Sequence, residues 1–354
     1  MFERILVPLD GSALAERALP HAEVFARIFG STIILLQILD PTSYHENPES
    51  VDPLSWQIRK TESDLYMSGI AARVRKNVPE NLTDKDRKGA KVEYTIREGK
   101  PAENIVNFAH TENIDLLIIS THGSSGLSRW NISSITEKVL NLVYLPVLIV
   151  RAYNQPEFES TKFRYRRILL PIDSSRRAEC SLAAGIALAG RDWSELVAAR
   201  GIGESDHQIT SVDASLQPKL ILAAVIKPPE IPIPEPYPVE IENLSENLME
   251  VSRQAVGAYL EEMKERLPVE SEIRVVESNS VSSAIQKLAD REKEIDLVVL
   301  CAHGHTGEPA WPYGSVTRNY IEHGTRTALI IQDIHRSQVR PTAAEVASEN
   351  SGGR

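Results

Sequence analysis

Cysteine is scarce in this chain, long apolar runs and an excess of positive charge are missing from it, and each shortage closes off a class of protein. Its 354 residues hold two cysteines, Cys180 in an expected helix and Cys301 at the end of an expected strand. Neither stands in a Cys-x-x-Cys or Cys/His spacing that holds zinc, and a reducing cytoplasm is the expected compartment. No apolar run approaches the roughly 20 residues that span a bilayer; stretches such as Ile33–Leu36 and Leu116–Ile119 have strand length, so no membrane partner is expected. The opening "MFERILVPLD" reads as a strand without a basic segment leading into a long apolar one, so no secretory leader is expected. With 49 acidic against 39 basic side chains, the formal charge of −10 argues against nucleic acid as a partner, because that binding rests on a basic surface. A phosphate-cradling Gly-x-x-x-x-Gly-Lys-Ser/Thr is also absent. Where a nucleotidyl transferase or ligase would carry a Ser-Gly-Gly-rich loop after its first strand, this chain has Asp-Gly-Ser and Asp-Ser-Ser.

What the chain does have is a long internal repeat. "RILVPLDGS" at 4–12 returns almost residue for residue as "RILLPIDSS" at 167–175. Each is a β-branched and leucine-rich run ending in Pro, an apolar residue and Asp, as a parallel strand buried on both faces requires. Helical spacing follows in both copies, with expected stops at Gly30 and Gly190. Second strands read "STIILLQIL" and "PKLILAAVI", and amphipathic helices follow around Leu54–Lys76 and Leu244–Arg266. Third strands read "KVEYTIREG" and "SEIRVVESN"; helices then open at Pro101, suited to a first helical position, and near Ser280, a helix-capping residue. Fourth strands, "IDLLIIS" and "IDLVVLC", run into paired loops, and each copy closes with a short helix and a fifth strand.

Alternating strands and helices predict an α/β protein of two tandem, doubly wound, mainly parallel five-stranded sheets with helices on both faces. The expected division is a first domain at 1–151, a linker at 152–164, a second domain at 165–333 and a polar, disordered tail at 334–354. The second copy carries an insertion at about 195–217 and the proline-rich "KPPEIPIPEPYPVE", read as an extended surface crossover.

In such a sheet, ligands bind beyond the carboxyl ends of the strands, at the crevice where strand order reverses. There the Asp closing the first strand, the segment after the second and the loop after the fourth converge. Backbone amides and a helix N-terminus would receive an anion, and small residues let the backbone come close. The two loops, "S-TH-G-SSGLSRWNI-SS" and "C-AH-G-HTGEPAWPY-GS", place Ser120, Gly123, Ser133 and Ser134 in step with Cys301, Gly304, Gly314 and Ser315.

Both halves resemble the universal stress protein family, whose loop motif is Gly, two residues, Gly, nine residues, then Gly and Ser or Thr. The opening "ILVPLDGS" and the closing "ITEKVLNLVYLPVLIV" are similar to that family as well, so the likeness covers both copies apart from the insertion and tail. The resemblance implies an adenine nucleotide alpha hydrolase-like fold. It also implies that ATP, with Mg²⁺, or a related adenine nucleotide binds at one or both loops as part of a stress response, with at most slow hydrolysis. Asp10 and Asp173 would then lie near the base or ribose; read as residues alone, each caps the helix that follows. The first loop departs from the motif at Ser120 and Ser133 and the second at Cys301, which favours the second as the nucleotide site. Pro309, Trp311 and Pro312 stiffen the second span, whereas Gly126 and Arg129 of the first could accommodate an anion. His122 and His303 read as turn or packing residues and Cys301 as a packed small residue, so no catalytic residue is expected.

Family subunits pair through their final strands. The resemblance therefore implies an intrachain pseudo-dimer through 146–151 and 326–332, with further homo-oligomerisation open. The alternative is a dimerisation or interaction module with degenerate sites and no nucleotide.

Overall fold

The computed structural model describes residues 1–41, 53–78, 90–122, 132–152, 163–199 (side chains through 190), 218–231, 238–291, 295–305 and 312–334. The loop spans 123–131 and 306–311, the insertion from residue 200 to 217, most of the linker, residues 232–237 and the tail from 335 lie outside them. Gly123, Gly126, Arg129, Pro309 and Trp311 are therefore not among the described residues.

The first half runs β1 (Arg4–Leu9), α1 (Ala13–Glu16), α2 (Leu19–Phe29), β2 (Thr32–Leu39), α3 (Pro53–Asn77), β3 (Lys91–Glu98), α4 (Pro101–Thr111), β4 (Leu116–Ser120), α5 (Ser134–Leu142) and β5 (Val147–Val150). The second runs β6 (Arg167–Pro171), α6 (Cys180–Ala199), β7 (Lys219–Ile226), α7 (Val239–Glu265), β8 (Ser271–Glu277), α8 (Val281–Arg291), β9 (Leu297–Cys301), α9 (Ser315–His323) and β10 (Ala328–Ile331). The strands form one ten-stranded sheet in the order β3-β2-β1-β4-β5-β10-β9-β6-β7-β8. Every pairing is parallel except β5 with β10, where Leu148 stands opposite Leu329. Strand order therefore reverses twice, between β1 and β4 and between β6 and β9, and each reversal opens a crevice at the strands' carboxyl ends.

Alternation along the strands divides the interior into two layers. Ile5, Val7 and Ile118 belong to the layer that also holds residues of α2, α3, α6 and α7, whereas Leu6, Leu117 and Ile119 belong to the layer of α4, α5, α8 and α9. Both layers run through the two halves without a break. Contacts from one half to the other add to this. The Arg151 guanidinium, at the end of β5, donates from Nη2 to the carbonyls of Tyr320 (2.8 Å) and Ile321 (2.6 Å) at the C-terminal end of α9. Burial lowers its pKa to about 10, yet it remains a cation at neutral pH, held by the negative end of a helix.

Two helix boundaries differ from the sequence expectation. The first copy's single helix divides into α1 and α2, because Pro20, at the second position of α2, has no N–H with which to continue a ladder. Gly30 does terminate α2, in the left-handed conformation at φ 68°, but α6 runs past Gly190 to Ala199. No proline follows Gly190 to stop it, and a Cβ there would sit 3.3 Å from the Val269 side chain. That glycine serves close packing rather than termination.

Candidate functional site

Each crevice holds a cavity. The first-half cavity, of about 270 Å³, is lined by Asp10, Gln37, Ser120, His122, Ser133 and Thr136 among others. Its second-half counterpart, of about 430 Å³, is lined by Asp173, Cys301, His303, Gly304, Gly314 and Ser315 among others. Of the sequence-predicted residues, only Ser134 is described outside its cavity lining; it is exposed at the first position of α5.

Asp10 and Asp173 do not cap their helices directly. Ser12 caps α1, its hydroxyl accepting from the Ala15 N–H at 3.1 Å, and Asp10 holds that serine by accepting from its N–H (3.0 Å) and hydroxyl (2.6 Å). In the second half Ser175 accepts from the Ala178 N–H (3.1 Å), and Asp173 accepts from the Ser175 N–H (3.0 Å). Each carboxylate thus stands one step back from the cap, at the edge of its crevice. Asp173 uses its other oxygen to accept from the His305 N–H at 2.7 Å, which ties the second loop to the end of β6. Gly304 lies so close to that carboxylate that any Cβ would collide with it.

The two copies differ most at the helix after the loop. In the first, Ser133 is the N-cap of α5, accepting from the Thr136 N–H at 3.2 Å. In the second, Gly314 occupies the same position before α9 without a side-chain cap. The amides of that first turn therefore open on the larger cavity without a competing hydroxyl. Gly314 is at φ −69°, and a Cβ there would make only ordinary contacts of 3.5 Å or more, so its value is the space it leaves.

Sequence reasoning missed four contributors. Thr136 and Thr317 donate to the carbonyls of Ser120 (3.1 Å) and Cys301 (2.7 Å), fastening each helix to its strand end, and their shared spacing in "SSIT" and "GSVT" was the signal available. Gln37, 8% exposed on β2, lines the first cavity with its Oε1 unpartnered among the described residues; the corresponding position in β7 is Ala224. The fourth is Asp333, just past β10, whose Oδ1 lies 2.8 Å from His303 Nδ1 while Oδ2 lies 3.7 Å from Arg177.

His303, read from the sequence as a turn or packing residue, is paired with a carboxylate in the fold. His122 Nδ1 instead meets the Thr121 hydroxyl at 2.9 Å. Burial pushes the Asp333 carboxyl up, but the hydrogen bond and charge of His303, with Arg177, bring it below its usual value. A carboxyl depressed in the folded state contributes stability above its unfolded pKa and loses it as pH falls through the folded one. Asp333→Asn is thus expected to cost about 1–3 kcal/mol at pH 7. In denaturant titrations across pH, that deficit should shrink as pH falls below about 4.

Among the described residues no group of three or more His, Cys, Asp or Glu side chains is arranged to hold a metal ion, and no helix is long and apolar enough to cross a membrane.

Comparison with known proteins agrees with this architecture. The model of the universal stress protein family matches residues 1–151 and 210–332. Universal stress protein MJ0577 of Methanocaldococcus jannaschii is 30% identical over 161 residues, which is 44% of this chain and 98% of that protein. Universal stress protein YxiE of Bacillus subtilis is 29% identical over 155 residues, 43% of this chain and all of that protein. The crystal structure of a universal stress protein from Archaeoglobus fulgidus shares the fold over 93% of this chain and 96% of its own, with a TM-score of 0.55 at 15% identity.

Proposed function

The chain belongs to the universal stress protein family, and from that premise we propose that it binds an adenine nucleotide, ATP foremost, in the second-half cavity, as a cytoplasmic stress-response protein. The observation that carries this reading is the uncapped first turn of α9 opening on the larger cavity beside Gly314 and Ser315. Phosphate oxygens would take up those amides, and the helix N-terminus favours their charge. Asp173 would receive the ribose or base, as the family resemblance implies. Magnesium would arrive as the counter-ion of the phosphates, which suits a site where Mg²⁺ keeps most of its waters. The nucleotide acts as a signal or slow switch, and hydrolysis is at most slow.

The first-half cavity supports the other reading, a module that works through contacts without nucleotide. It is smaller, and Ser133 already engages an N–H of α5 that a phosphate would need.

Isothermal titration with ATP and Mg²⁺ tests both. One dominant site per chain is expected, and Gly314→Ser, which reproduces the Ser133 cap, should weaken it by about 10- to 100-fold, the worth of a charge-assisted hydrogen bond. Absence of heat and of thermal protection at millimolar ATP would overturn nucleotide binding. Unchanged affinity in Gly314→Ser would overturn its placement at α9.

A further inference from the structure

The only two cysteines of the chain, 121 residues apart, meet in the fold with their sulfurs 3.0 Å apart. We propose that Cys180 and Cys301 are a redox modification site, closed to an intramolecular disulfide by a hydroperoxide-class oxidant and reopened by thiols. Both are free thiols in this structure. A disulfide needs a sulfur separation of about 2.05 Å, so closure requires an approach of only about 1 Å.

The pair is specific to the second half. Tyr66 donates to Glu16 (3.2 Å) as Tyr259 donates to Glu179 (2.9 Å), which fixes the correspondence of the two copies at these positions. One residue further on, Arg17 in the first copy corresponds to Cys180 in the second, and Ser120 corresponds to Cys301. Both halves of the pair are therefore absent from the first copy together, on two separate elements.

Access and order of attack follow from burial. Cys180, half-buried at the start of α6, lines a cavity of about 600 Å³ that also touches Pro146 of the first half and Asp333. Cys301 is buried at the end of β9, on the wall of the candidate nucleotide cavity, and the hydrogen bond to Cys180 together with burial pushes its thiol pKa up. Cys180 is thus the sulfur that meets the oxidant. Its thiolate attacks one peroxide oxygen, the O–O bond breaks, and the departing oxygen leaves as water, or as an alcohol from an organic peroxide. Cys301 then attacks the sulfenic sulfur; the S–S bond forms, the S–O bond breaks, and that oxygen leaves as water with the Cys301 proton. Two electrons pass from the sulfurs to the peroxide.

The bond would pin the start of α6, seven residues after Asp173, to the residue from which the Gly304 loop departs. Two walls of the second-half cavity would become one piece. The first-half cavity would be untouched.

The test uses the full chain, hydrogen peroxide and mass spectrometry of a non-reducing digest, and its reading does not depend on nucleotide. Both thiols should disappear together, with a linked Cys180–Cys301 peptide pair lighter by two hydrogens, restored by dithiothreitol. The oxidised protein should melt roughly 5 °C or more higher, since the bond closes a long loop. Cys180→Ser and Cys301→Ser should each give neither link nor shift. The proposal fails if one thiol is over-oxidised while the other still titrates, if the links join different chains, or if neither thiol reacts while glutathione in the same tube is oxidised.

Discussion

Removing residues 327–354 is expected to abolish the native, soluble form of the protein. The deletion takes out β10, which sits in the middle of the ten-stranded sheet between β5 and β9. Ala328, Leu329 and Ile330 are each no more than 1% exposed. Burying the leucine and isoleucine alone is worth about 3–6 kcal/mol. That is already a large share of the roughly 5–15 kcal/mol that holds a domain folded. Deletion also uncovers Val147–Val150 on one side and Leu297–Cys301 on the other, every residue of both buried in the intact protein. Two apolar edges of that kind pair with whatever strand they meet, so the expected product is a high-mass or aggregated species in light scattering. A truncated chain with the oligomeric state and melting temperature of the parent would show that the halves do not depend on this pairing.

The element order needed to place β10 there is legible in the sequence, and the reasons lie in particular residues. "RILVPLDGS" and "RILLPIDSS" announce buried parallel strands, and their repetition announces two copies; Pro101 and Ser280 mark helix starts that the structure keeps. Local signals failed where a neighbour in space decided the outcome. Gly190 reads as a helix stop, but Val269, 79 positions later, makes it a contact glycine within α6. His303 reads as a packing residue because Asp333 comes only after another helix and strand. Gln37 reads as one polar residue in an apolar strand, and only its place beside the first cavity gives it a meaning. The cysteine pair is the extreme case. Cys180 and Cys301 each read as a small residue in a buried element, and no spacing rule links residues that far apart. The candidate site itself stood between these extremes: the loop motif identified six of the lining residues, but the cap at Ser133 and its absence at Gly314 required the geometry of α5 and α9.

Tyr165→Ala is expected to destabilise the whole chain by about 3–5 kcal/mol, the range for emptying a buried aromatic site. The ring stands just ahead of β6, in the second half, yet its neighbours His21 and Phe25 belong to α2 of the first. Ring centroids lie 5.3 Å from Phe163, 5.7 Å from His21 and 6.3 Å from Phe25, and the hydroxyl lies 2.5 Å from His21 Nδ1. At 1% exposure Tyr165 is among the largest fully buried side chains of the protein. Two parts of its contribution can be separated. Tyr165→Phe keeps the ring and removes the hydroxyl, so it should cost only about 1–2 kcal/mol. The alanine variant loses the packing as well. Urea unfolding followed by circular dichroism reads both, and the shape of the curve carries the further point. Because one hydrophobic layer runs from Phe25 through Tyr165 to Leu170, the two halves should unfold together, and each substitution should move a single midpoint. If alanine costs less than about 1 kcal/mol, or splits the transition so that only one half shifts, the aromatic contact between α2 and the start of β6 does not couple the halves.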